Sequence, residues 1–86
     1  MIPMDQCKTG YLYRLCSRHL ALGIWIAEGK AFYGIRTKFG TRFLDYEYHW
    51  DIGEPYGTAR PVEEIEKFPG GDMFAYLEGK EDKCVS

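Results

Sequence analysis

The chain has 86 residues and a mass of 10.0 kDa, room for one domain and no more. Its composition, 45% apolar, 16% aromatic and 28% charged, excludes an intrinsically disordered chain, and no stretch approaches the ~20 apolar residues of a membrane-spanning helix. The net charge of −2 is unevenly spread: residues 1–44 carry seven basic and two acidic side chains, residues 45–86 four basic and eleven acidic. Such halves either attract each other within one fold or offer a basic face to an anionic partner, and a pI near 5.6 argues against general DNA binding.

Residues 1–10 read as a lead-in with a turn at Lys8 to Gly10. From Tyr11 to Trp50 the chain is rich in aromatic and β-branched residues, with turn signals every 8 to 10 positions, which predicts strands near Tyr11 to Arg18, Leu20 to Ala27, Lys30 to Thr37 and Thr41 to Trp50. Leu20, Leu22, Ile24 and Ile26 alternate with a period of two, so one face of the second strand belongs to a core. A two-residue loop at Glu28-Gly29 sets Leu22 opposite Ile35 and Ile24 opposite Tyr33, with Trp25 opposite Phe32 and Gly23 opposite Gly34 on the other face. A second loop at Phe39-Gly40 pairs Ile35 with Leu44 and Tyr33 with Tyr46, and both hairpins then agree on which face is inside.

Asp51 to Gly57 reads as a loop and Thr58 to Arg60 as a short closing strand. Pro61, followed by Glu63 and Glu64, predicts a two-turn helix through Phe68, because proline suits a first helical turn and carboxylates complement the helix dipole. Pro69-Gly70-Gly71 ends it, Asp72 caps a last helix from Met73 to Glu78, and residues 80–86 form a flexible tail to a domain spanning 1–79. The expected fold is mainly β, a small partly open barrel of four or five antiparallel strands with a short C-terminal helix, in the manner of the SH3-like folds. Three cysteines leave one over in any disulfide scheme, no C-x-x-C pair occurs, and the N-terminus lacks a signal-peptide pattern, so a cytoplasmic location is expected.

The face opposite Ile24 and Ile26 carries Trp25, Phe32, Arg36 and Phe43, with Gly23 and Gly34 between them. Paired mid-strand glycines mark a place where something approaches the backbone closely. A glycine-floored trough walled by aromatic rings suits a planar anion: Trp25 and Phe32 stack, Arg36 and Arg42 counter charge, and His49 donates a hydrogen bond. Two other readings compete for the same face. Val62, Ile65, Phe68, Phe74 and Leu77 could cover it from the C-terminal segment, or it could bind a protein partner or a second copy of the chain.

Asp45, Glu47, His49 and Asp51 alternate along the fourth strand, close enough for two of them to share a metal ion in a hydrolytic site. Acidic residues in that pattern more commonly pair with nearby cations, here Arg36 and Arg42. Cys16 and His19 have the spacing of half a zinc site without a second half, and no cofactor is implied.

The segment Gly34-Ile35-Arg36-Thr37-Lys38-Phe39-Gly40-Thr41-Arg42-Phe43-Leu44, continued by Glu47-Tyr48-His49-Trp50-Asp51 and Gly57-Thr58-Ala59-Arg60-Pro61, resembles the centre of a family of small uncharacterised proteins from bacteria and their phages, over roughly residues 10–65. That resemblance implies a stand-alone domain, and for a phage protein of this size an antagonist of host defence that binds a host protein or sequesters a nucleotide signal. The leading expectation is non-enzymatic capture of a nucleotide-like anion, with inhibition of a host protein through the same surface as the alternative and a metal-dependent hydrolase as the third.

Overall fold

The computed structural model describes residues 2–17, 20–48 and 60–85. After a short 3-10 turn at Met4–Gln6 come five strands, β1 (Tyr11–Ser17), β2 (Leu20–Glu28), β3 (Ala31–Lys38), β4 (Thr41–Tyr48) and β5 (Arg60–Lys67), then one helix, α1 (Met73–Val85). The strands form a single antiparallel sheet in the order β4-β3-β2-β1-β5, which is not closed into a full barrel, and the Cα radius of gyration is 12.3 Å. No helix among the described residues is long and apolar enough to cross a membrane.

The β3–β4 hairpin has the predicted register, with Ile35 opposite Leu44 and Tyr33 opposite Tyr46. Between β2 and β3 the loop is Gly29-Lys30, one position later than expected, so Glu28 faces Ala31 and Ile26 faces Tyr33. The displacement amounts to two places in register and therefore leaves the side chains of β3, and those of β2 from Ile24 onward, on their expected faces. Gly29 occupies the first loop position with φ 61°, as a glycine-led hairpin turn requires.

The helix expected at Pro61 to Phe68 is a strand instead. Here the tertiary partner overrides the local signal: β5 lies along β1, where Glu63 meets Arg14 at 3.1 Å and Glu64 accepts a hydrogen bond from the Tyr13 hydroxyl. Pro61 is tolerated because β5 is the last strand of the sheet, where a missing N–H breaks no central ladder. α1 is capped as predicted, with Asp72 Oδ1 accepting from the amides of Phe74 and Ala75, but it runs past Glu78 to Val85. The predicted loop 51–57 and the residues Thr58 and Ala59 lie outside the described residues.

Both faces of the sheet carry a buried core over β1, β2 and β3. On one, Leu12, Ile24, Ile26 and Ile35 pack with Leu77 of α1, bordered by Ile65, Phe68, Met73, Phe74 and Tyr76. On the other, Tyr13, Leu15, Trp25, Ala27 and Phe32 form a second core, bordered by Ile2, Cys7, Tyr11 and Leu22. Tyr13 and Phe32 stand two strands apart, nominally ~10 Å, yet their rings meet edge to face at 6.0 Å, as expected where the sheet curls inward.

The two mid-strand glycines serve this second core. At Gly23, φ 99°, β2 bulges: Leu15 faces Gly23 while Cys16 faces Ala21, which carries Leu22 over to the Trp25 side and away from Ile24. Gly34 lies beneath the indole of Trp25, and a Cβ there would sit 2.1 Å from a ring carbon. Gly34→Ala is therefore expected to cost at least ~2 kcal/mol by overpacking, since the obstacle is a buried ring. Gly79→Ala, where α1 leaves open space, is expected to gain up to about 1 kcal/mol. Urea unfolding of the two variants checks the pair, and equal midpoints would show that the indole does not need the bare backbone.

Candidate functional site

Trp25, Phe32, Arg36 and Phe43 share one face of the sheet, as the sequence implied, but two of them are not open to a ligand. Trp25 is 1% exposed and Phe32 fully buried. Neither ring can stack on a base while the core is closed, so the predicted trough is filled by the protein's own tryptophan. It is also not the C-terminal segment that seals it: Ile65, Phe68, Phe74 and Leu77 pack on the opposite face. Gly23 and Gly34, expected opposite each other, are offset by the two-place shift of the β2–β3 register, which brings Gly34 against Trp25 and sets Phe32 opposite Ala27; on its β1 side Gly23 lies opposite Leu15.

Arg36 is held from three sides. Its guanidinium lies 5.1 Å from the Trp25 ring centroid and hydrogen-bonds Glu47, and its Nε comes within 2.8 Å of Asp45 Oδ2, close enough to pair charges though not aligned as a hydrogen bond. One cation between two carboxylates leaves a local net charge of −1, which repels an anion. Arg42 reaches across to α1, where Nη1 meets Glu78 Oε2 at 3.2 Å. Phe43 is half-buried opposite Arg36. His49 lies outside the described residues, as do His19, Trp50 and Asp51, so the metal reading retains Asp45 and Glu47 alone, and these flank Arg36. Among the described residues no three His, Cys, Asp or Glu side chains gather as a metal site.

The ion pairs explain the divided charge. Lys8–Glu64, Arg14–Glu63 and Arg42–Glu78 each join the basic first half to the acidic second half, so the asymmetry is spent largely inside the fold.

A second polar cluster fastens the N-terminal segment. The Tyr13 hydroxyl donates to Glu64 Oε1 at 2.9 Å and accepts from the Lys8 amide at 2.8 Å, while Lys8 Nζ lies 3.8 Å from the same carboxylate. Burial, and secondarily the Glu64 carboxylate, push the Tyr13 hydroxyl up to about 12 against the opposing help of the Lys8 amide. The Cys7 thiol is likewise raised, first by burial and then by Glu64 and Asp5, which makes it a poor nucleophile.

Sequence reasoning places the β3–β4 turn at Phe39-Gly40, where the structure has it, but does not single out Phe39 as a candidate site residue. Phe39 is 96% exposed and stands at φ 53°, a left-handed conformation that a bulky side chain adopts only at a cost. The signal was present: a two-residue hairpin turn with both residues at positive φ favours Asn-Gly, and here Phe occupies the Asn position. Leu44 and Tyr46 of β4 are also exposed, at 40% and 48%.

Because native Tyr13 stays neutral to a higher pH than an unfolded tyrosine, its contribution is complete below pH 10 and drains away as the pH climbs through about 12. Denaturant titrations at pH 8 to 12 should lose on the order of 1 to 2 kcal/mol over that window, allowing for solvent screening, and Tyr13→Phe should flatten the loss. A slope unchanged in the variant would assign the alkaline transition to another group.

No family model, curated protein or solved structure matches this chain.

Proposed function

We propose that the protein is a non-catalytic protein-binding module whose contact element is the tip of the β3–β4 hairpin, with Phe39 as the anchor. The observation that carries this reading is Phe39 itself, exposed and in a left-handed conformation where asparagine or glycine would serve the turn better. Strain at an exposed aromatic is a cost without a folding return, which points to selection for contact with something else. Lys38 stands with its Nζ 5.7 Å from the Phe39 ring centroid, giving the tip an apolar centre with a cationic rim. The strand order, with β5 beside β1 in a sheet that stops short of closure, supports an SH3-like barrel as the scaffold. Within the small bacterial and phage proteins that the central segment resembles, such a module fits an inhibitor that docks on a host protein.

Capture of a nucleotide-like anion is the weaker reading, because it needs Trp25 and Phe32 at the surface and Arg36 unclaimed by carboxylates.

Replacing Phe39 separates folding from binding. Phe39→Asn should raise the unfolding free energy by about 1 kcal/mol, by relieving the left-handed phenylalanine. The same variant should lose the proteins that the immobilised wild-type chain retains from an extract of its source cells. Retention of the same proteins by a stabilised Phe39→Asn would overturn the proposal. Thermal-shift measurements with mono-, di- and cyclic nucleotides up to millimolar concentration should show no shift, whereas a shift abolished by Arg36→Ala would restore the anion reading. Arg36→Ala by itself is expected to lower stability by about 1 to 2 kcal/mol, since it leaves Asp45 and Glu47 facing each other uncompensated.

A further inference from the structure

β4 ends the sheet, with β3 as its one neighbouring strand among the described residues. On the face away from Arg36 it exposes Leu44 and Tyr46, a combination that would promote edge-to-edge association in a small β protein unless guarded. The usual guards are charges on the edge strand, and here Arg42, Asp45 and Glu47 supply them but are engaged within the chain, Arg42 by Glu78 of α1 and the two carboxylates by Arg36.

Two copies of one strand can pair antiparallel about a two-fold axis only in certain registers. Residues directly opposite must share a face, so the numbers of opposed residues must add to an even total. The hydrogen-bond pattern imposes the same condition. In a two-residue hairpin the closing pair, Lys38 and Thr41, is hydrogen-bonded, so alternation makes Ile35 and Leu44 a non-hydrogen-bonded pair and turns the N–H and C=O of Leu44 outward from β3.

Two even registers overlap seven residues of β4. The one centred on Asp45 sets that carboxylate against its own copy, which is repulsive. The one centred on Leu44 sets Leu44 against Leu44, Arg42 against Tyr46, Phe43 against Asp45 and Thr41 against Glu47. It opposes no like charges and lays a guanidinium beside an aromatic ring on each side of the axis.

We infer that this chain forms a two-fold homodimer through β4, antiparallel and centred on Leu44, which continues the sheet from one copy into the other. Phe39 lies five residues from the axis, ~17 Å along the strand, so the dimer leaves both hairpin tips clear of the seam. The inference is independent of the role given to Phe39.

Sedimentation equilibrium of the full chain from 1 to 200 μM is expected to show a monomer–dimer equilibrium, and Leu44→Lys, which opposes two cations on the axis, should leave monomer throughout. Far-ultraviolet circular dichroism of Leu44→Lys verifies that the variant is folded. Register is read by cysteine cross-linking: Leu44→Cys should give disulfide-linked dimer under mild oxidation well above the parent chain, and Tyr46→Cys, whose copies would stand four residues apart along the seam, should not. Monomer at 200 μM would overturn the dimer, and so would a wild-type dimer that survives Leu44→Lys. Equal cross-linking at positions 44 and 46 would overturn the register.

Discussion

The indole of Trp25 lying flat on the bare backbone of Gly34 is the contact from which the rest of the molecule follows. It lets β2 and β3 approach on the inward face with no side chain between ring and strand. It also tilts a fully buried ring under the guanidinium of Arg36, and so sets where that cation can reach. The bulge at Gly23 supports the arrangement from the other end, because the Leu22 carbonyl it turns inward accepts the indole N–H at 2.9 Å. A buried tryptophan needs a partner for that one polar atom, and here the backbone three residues upstream provides it.

Once Trp25 is seated, Arg36 holds the edge of the sheet together. Its two carboxylates come from neighbouring same-face positions of β4, so a single cation ties β3 to β4 and offsets a like-charge pair that would otherwise push the strand away. The same arrangement strips the face of net positive potential. The residues that look most like a ligand site in the sequence, two aromatics and an arginine around two glycines, are thus accounted for by packing and by internal charge pairing.

Much of the architecture could be read from the residues. The alternation of Ile24 and Ile26 and the spacing of the two loops gave the correct face for every residue of β3 and β4, because an error of two in the first hairpin preserves parity. Parity says which residues share a face and nothing about whether that face meets water. Trp25 and Phe32 meet a ligand only if their side of the sheet stays open, whereas curling toward Tyr13 and Leu15 buries that side as well. The strand at Arg60–Lys67 was illegible for a different reason: Pro61 and the following glutamates fit a helix start locally, and only the cations and hydroxyl on β1 and in the N-terminal segment, distant in sequence, decide against it.

What the core consumes determines what the surface has left to offer. With the aromatic face closed and α1 covering Ile24, Ile26 and Ile35, the exposed large apolar side chains among the described residues are Phe39, Leu44, Tyr46 and Val62, and three of these four belong to the β3–β4 hairpin. They divide by position: Phe39 stands at a tip where nothing in the sheet needs it, and Leu44 and Tyr46 lie along an edge whose guarding carboxylates are already engaged. If two copies share that edge, each assembly carries two tips at opposite ends of the seam. A target with two matching sites would then be held far more tightly than one Phe39 could hold it, since the second contact forms at the high effective concentration set by a rigid sheet. A modest anchor on a domain of this size would gain its affinity from the number of tips and not from the area of one.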